Sequence, residues 1–182
     1  MNNDKIKIAI ITRSLANGGA ERCAALLSFL LSDLGFQIHI VSIFDEIEFE
    51  YKGKLMNLGI LKNKNDNAWG RLNRLLVFKK YITENNFDWI IDNRPRTSWW
   101  SEYIISKFIY NPKKTLYIVH NFKISTYFPS IEFIAKNIYK KSPYIISVSN
   151  EIKKEIEELE KQLTEENELK DSVKELETIV GE

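Results

Sequence analysis

Short apolar runs of strand length alternate with longer stretches of helical spacing through residues 1–150, and few architectures accept that rhythm. KIKIAIIT (5–12), QIHIVSIF (37–44), DWIID (88–92), TLYIVH (115–120) and YIISVS (144–149) are rich in Ile, Val and aromatic residues. Such runs suit strands buried on both faces. Between them, ALLSFLLSDLG places Cys23, Leu27, Leu30 and Leu34 at helical intervals, with Gly35 where a helix end favours it. GRLNRLLVFKKYITENN sets Leu72, Leu75, Leu76, Lys79 and Ile82 in a second stripe, and SWWSEYIISKFIY and SIEFIAKNIYKKS read as further helices. Residues 45–69 are less regular, with short strands expected around 49–51 and 58–61 and a polar loop at KNKNDN. The expected fold class is α/β: a Rossmann-like, doubly wound parallel sheet covered on both sides, followed by a C-terminal helical segment.

A boundary near residue 150 follows from charge. Residues 151–182 carry 12 acidic and 5 basic side chains, net −7, whereas the remainder is net +8, and all the aromatic residues precede position 150. The chain therefore divides into a basic, aromatic globular part (1–150) and an acidic tail (151–182). Cys23 is the only cysteine, which excludes an internal disulfide framework and fits a reducing cytoplasm. The longest apolar stretches are broken by Ser and Asp well short of the roughly 20 residues a bilayer needs, and the polar start with Asp4 does not read as a signal peptide.

In doubly wound sheets ligands sit where the strands end, so the residues to question are Arg13 to Arg22, Asp92 to Arg96, His120 with Asn121, and Ser147 to Asn150. TRSLANGGAER (12–22) stands out. Two adjacent glycines at a helix start leave the backbone open to an anion, and the helix dipole adds to the attraction. The spacing is neither G-x-G-x-x-G nor a P-loop. A tight strand-to-helix turn with no ligand explains the glycines equally well.

KIAIITRSLANGGAER, followed by GFQIHIVSIFD, resembles the opening of the family 4 glycosyltransferases, whose first strand leads into a Gly-Gly-Ala-Glu-Arg loop. TLYIVHNF is similar to that family's strand ending in a histidine, and YIISVSNEIKKEI to the strand and helix that close its first domain. The resemblance covers roughly residues 5–158. It implies the N-terminal, acceptor-binding half of a two-domain GT-B fold, with retaining, metal-independent transfer from a nucleotide-sugar donor to a glycan or lipid-linked acceptor of a cell-surface polysaccharide. Gly18 and Gly19 would approach the donor diphosphate, where amide dipoles can stabilise the departing charge. His120 would stand at the reaction centre, and Arg13, Glu21, Arg22, Arg94 and Asn121 would contact acceptor or substrate. The resemblance implies no cofactor. No counterpart of the family's second domain follows, so little or no transfer is expected from this chain alone.

The tail has its own pattern. Leu169, Val173, Leu176 and Val180 step as a coiled-coil seam does, and Ile152, Ile156, Leu159 and Leu163 repeat it upstream with a break near TEEN. Three readings stand open: an engineered replacement for the missing domain, an oligomerisation helix, or a hairpin packing back on the globular part. A non-catalytic Rossmann-like interaction module, oligomerised by this tail, is the alternative to a transferase.

Other residues carry milder expectations. His39, inside a strand, reads as a packed core histidine, and Cys23 as part of a helix's apolar face. Arg94 and Arg96 flank Pro95, which suits an anionic group or a solvated loop. Trp99, Trp100 and Tyr103 read first as helix packing and second as a surface for a sugar. Residues 126–144 mix aromatics with Lys136, Lys140 and Lys141, which fits an ordinary amphipathic helix or a contact with the anionic inner face of a membrane. No nucleic-acid-binding module is recognisable.

Overall fold

The computed structural model describes residues 5–64, 66–96, 98–121, 127, 138–158 and 161. Six strands form one sheet: β1 (Lys7–Thr12), β2 (Gln37–Ser42), β3 (Lys54–Asn57), β4 (Trp89–Asp92), β5 (Thr115–Val119) and β6 (Tyr144–Ser147). All neighbouring pairs are parallel and the spatial order is β3-β2-β1-β4-β5-β6. The helices are α1 (Gly19–Asp33), α2 (Gly59–Lys64), α3 (Ala68–Asn85) and α4 (Trp99–Phe108), with single 3-10 turns at Pro112–Lys114 and Tyr139–Lys141. The chain is helical again over 150–158. This is a Rossmann-like α/β fold, as the alternation of apolar runs implies. The chain winds outward from β1 to β3, returns to β4 beside β1, and winds outward again, so the topological switch point lies between β1 and β4.

Successive residues of a strand point to opposite faces, and β1 feeds two cores. Ile8 and Ile10 pack with Ile38 and Ile40 beneath Ala24 and Ala25 of α1. Ala9 and Ile11 join Val41 and Ile90 beneath Phe78 and Ile82 of α3 and Ile105 of α4. A third cluster gathers Tyr117 and Val119 of β5 with Tyr127, Ile138, Tyr139 and Ile152. His39 is buried, bonded through Nδ1 to the Tyr81 hydroxyl at 2.8 Å and edge-on to Phe87, a core histidine as expected.

Several local expectations are overturned. The third strand is Lys54–Asn57, not 49–51 or 58–61. Phe49 and Tyr51 instead pack on the α1-side core, and Leu58 leads directly into α2, which absorbs part of the polar run. The leucine stripe of α1 reaches the core only in part: Leu27 packs against it, but Leu30 and Leu34 are 58% and 65% exposed, while Ala24, Ala25 and Ser28 are buried. Small side chains let the helix backbone lie close to the sheet. In α3 the buried positions are Gly70, Phe78 and Ile82, while Leu72 and Leu76 face outward. Gly35 ends α1 with φ 93, and its amide reaches Ser32 while Phe36 reaches Leu31, the left-handed stop that only glycine adopts freely. No helix among the described residues is long and apolar enough to cross a membrane. The expected helix at SIEFIAKNIYKKS falls mostly outside the described residues, as does the seam at Leu169, Val173, Leu176 and Val180.

Candidate functional site

The loop from β1 to α1 is built as an edge. Thr12 Oγ1 donates to Ser14 O at 3.0 Å and Ser14 Oγ to Ala16 O at 3.3 Å, both buried. Leu15 is sealed in the core and bonds along residues 46–49: its amide donates to Glu46 O, and its carbonyl accepts from the Glu48 and Phe49 amides. The left-handed residue of the turn is Asn17, φ 57, not a glycine. Gly18 is extended, as any residue could be. A Cβ there would meet the Glu21 carboxylate, the movable end of a flexible side chain. The Glu21 carboxylate thus folds back over the start of α1 and makes no hydrogen bond or ion pair among the described residues. A Cβ on Gly19 would meet nothing. Neither glycine takes a positive φ; one lies against the Glu21 carboxylate and the other borders open space.

Opposite this loop, β4 ends in Asp92 and Asn93. Asn93 continues the β1 pairing through its amide to Ile11 O, and its Nδ2 donates to Ala20 O at 2.7 Å. Its Oδ1 lies in short hydrogen-bond contact with His120 Nε2. One side chain thereby joins the first turn of α1 to the end of β5, across the switch point. His120 is half-buried, and burial, reinforced by the charge of Arg96, holds its pKa below the ordinary histidine value. Burial raises the pKa of the neighbouring Tyr127 hydroxyl, the charge of Glu21 adds to the rise, and Arg96 opposes it.

Beneath lies a buried charge network. Arg94 grips Asp92 with two nitrogens, at 3.0 and 2.7 Å, and reaches Glu102 at 3.3 Å and the Tyr110 hydroxyl at 2.9 Å. Tyr110 in turn donates a short hydrogen bond to Asp92. Arg96 donates to Tyr127 O and Arg94 O, and its guanidinium lies 4.8 Å from the Tyr117 ring centre and 5.7 Å from that of Tyr139. Burial works against the Asp92 carboxylate, yet Arg94 and Arg96 outweigh it and hold its pKa below the usual carboxylate range. Burial dominates at Glu102 and pushes its pKa up despite Arg94. Arg94, expected to contact acceptor, is instead committed to the interior, and neither it nor Arg96 is a solvated loop residue. Sequence reasoning missed this because, beyond the neighbouring Asp92, the groups that enclose the two arginines lie on other elements.

The other expected contacts are scattered. Arg13 is exposed at the end of β1, its Cζ 5.2 Å from the Phe44 ring centre, with Lys62 Nζ 4.1 Å from the same ring. Arg22 and Gly19 line a broad open groove of about 460 Å³ along α1 with Cys23, Leu26, Leu27 and Leu30; neither Asn93 nor His120 lines it. Burial raises the Cys23 thiol pKa, which suits an apolar face rather than a reactive thiolate. Asn121 is exposed beside His120. Trp99 and Trp100 stack on each other, ring centres 4.0 Å apart, and Trp100 is 59% exposed, so helix packing does not account for them. No three His, Cys, Asp or Glu among the described residues converge as a metal site requires.

The sequence matches no protein-family model and no curated protein. What the site can do rests on its own geometry.

Proposed function

We propose that this chain is the N-terminal, acceptor-side half of a retaining glycosyltransferase of the GT-B kind, acting on a glycan or lipid-linked acceptor at the inner face of a membrane. The observation that carries the reading is the bridge Ala20–Asn93–His120, which holds the first turn of α1 and a half-exposed imidazole together at the carboxyl edge of the sheet. That edge is where such sheets bind ligands. In this reading the donor diphosphate approaches the amides of residues 18–20, and Glu21 swings away as the anion takes its place. Arg13 and Lys62, gathered on Phe44, offer positive charge along the same rim. His120 faces the transferred sugar. A second domain is needed to enclose the donor.

One observation favours the interaction-module reading. The outer side of α1 exposes Leu26, Leu30 and Leu34 and borders the open groove, an apolar strip of the sort that protein contacts cover.

An NMR titration with a panel of nucleotide-sugars separates the two. The transferase reading expects saturable shifts at the amides of Gly18, Gly19 and Ala20, with those of Leu26 and Leu30 unmoved. Silence at residues 18–20 with millimolar ligand moves the weight to the module.

A further inference from the structure

Asn93 offers chemistry that the site's general description leaves unused. Ala20 O can only accept a hydrogen bond, so the nitrogen of the Asn93 amide must face it, at 2.7 Å. The opposite orientation would set two oxygens against each other. Asn93 Oδ1 is therefore the atom turned to His120, and an amide oxygen has no proton to give. The hydrogen at that contact must come from His120, which places it on Nε2. In the neutral ring Nδ1 then carries the lone pair. It has no hydrogen-bond partner among the described residues, and the ring is half-exposed.

We propose that Asn93 is a positioning residue that fixes His120 as its Nε2–H tautomer and ties it to the first turn of α1, so that Nδ1 stands ready to accept a hydrogen bond from a ligand hydroxyl. The chemistry named is that of a sugar hydroxyl rather than a phosphate oxygen, because a lone-pair nitrogen attracts a donor and repels an anion. That assignment of ligand rests on the glycosyltransferase reading; the tautomer does not. The groups that surround the ring agree with a neutral imidazole. Arg96 lies close enough to disfavour a second positive charge, and Glu21 makes no ion pair with the ring. The same amide also explains why the loop after β4 begins with asparagine: aspartate would lose the donor to Ala20, and leucine would lose both bonds.

The experiment is a long-range proton–nitrogen correlation spectrum of the full chain, ligand-free, with labelled histidine rings and above neutral pH. Wild type should show His120 protonated at Nε2, while His39, bonded through Nδ1 to Tyr81, gives a separate signal. Asn93→Ala should leave a mixture of the two His120 tautomers. Asn93→Asp should keep Nε2–H and raise the His120 titration midpoint above wild type, because a carboxylate favours the imidazolium. The two variants move different observables, which a loss of packing alone would not do. An Nδ1–H ring in the wild type, or a tautomer unchanged in Asn93→Ala, overturns the proposal. Since the readout needs no ligand, its failure leaves the transferase reading standing, whereas silent amides at residues 18–20 defeat that reading and not the tautomer.

Discussion

Two loops leave the sheet side by side at its carboxyl edge, one after β1 and one after β4, and they are built in opposite ways. The β1 loop spends its hydroxyls on its own carbonyls and keeps its charges outside: Arg13 is exposed and Glu21 lies over Gly18 without a bonded partner. The β4 loop turns its charges inward, so that Asp92, Arg94 and Arg96 are all buried, with Glu102 and four tyrosines around them. Asn93 reaches from the β4 loop to Ala20 in the first turn of α1, just past the β1 loop, and to His120. The contrast separates a loop shaped to meet something from a loop shaped to hold it steady. A charged residue near a strand end is evidence for a ligand only when its charge is left unspent.

The sharpest way to break this contrast is to remove a charge from the inner loop. Arg94→Met leaves Asp92 and Glu102 buried and facing each other without their shared cation. Breaking a buried pair from one side costs about 3–5 kcal/mol, enough to threaten the fold, and thermal or urea unfolding would read it. A loss below about 1 kcal/mol, the scale of an exposed ion pair, would mean that water reaches this network and that the two loops are not so different.

Acid sharpens the comparison through titration. Asp92 is depressed in the folded chain, so its contribution is full above the unfolded carboxylate value of about 3.9 and fades as pH falls towards its folded value. His120 and His39 are depressed too, by burial first. For a depressed histidine stability is full above the unfolded value of about 6.5 and is lost as pH drops below it, since only the unfolded chain takes the proton readily. Glu102, raised by burial, runs the other way and loses stability as pH rises through its folded value. Melting followed from pH 8 downward should therefore decline gently from about 6.5 and steeply only below the carboxylate range. In Arg94→Met the steep limb should move to higher pH.

The strands were legible because an apolar run buried on both sides leaves little else for the backbone to do. Helix faces were not. In α1 Leu26, Leu30 and Leu34 face outward and Leu27 and Leu31 reach the core, so counting apolar residues does not choose a face; what decides is how close Ala24 and Ala25 let the helix lie to β1 and β2. Phe49 and Tyr51 read as a strand by composition, but the free edge of β2 pairs with Lys54–Asn57. Within the site, Gly18, Gly19 and His120 could be picked out by their place at strand ends. Asn93 falls within the Asp92 to Arg96 stretch, but its role could not be read, since its meaning comes from Ala20 and His120, which are distant in the chain. Arg94 and Arg96 were misjudged for the same reason: their partners Glu102, Tyr110, Tyr117, Tyr127 and Tyr139 are spread over later elements.

The smallest expected effect is the one that separates a turn from a ligand site in the outer loop. Gly19 opens α1 with no positive φ, and a Cβ there would meet nothing. Replacing glycine by alanine at such a position stabilises a protein by about 0.4–1 kcal/mol, chiefly by restricting the unfolded chain. Gly19→Ala should therefore melt slightly above wild type. If the open space beside Gly19 belongs to a ligand, the same methyl group should weaken nucleotide-sugar binding, measured as a loss of the amide shifts at residues 18–20. A gain in stability paired with a loss of binding marks a glycine kept for what approaches it. A gain in stability with unchanged binding makes residues 18–20 a plain turn, and the difference between the two loops then reduces to one of burial.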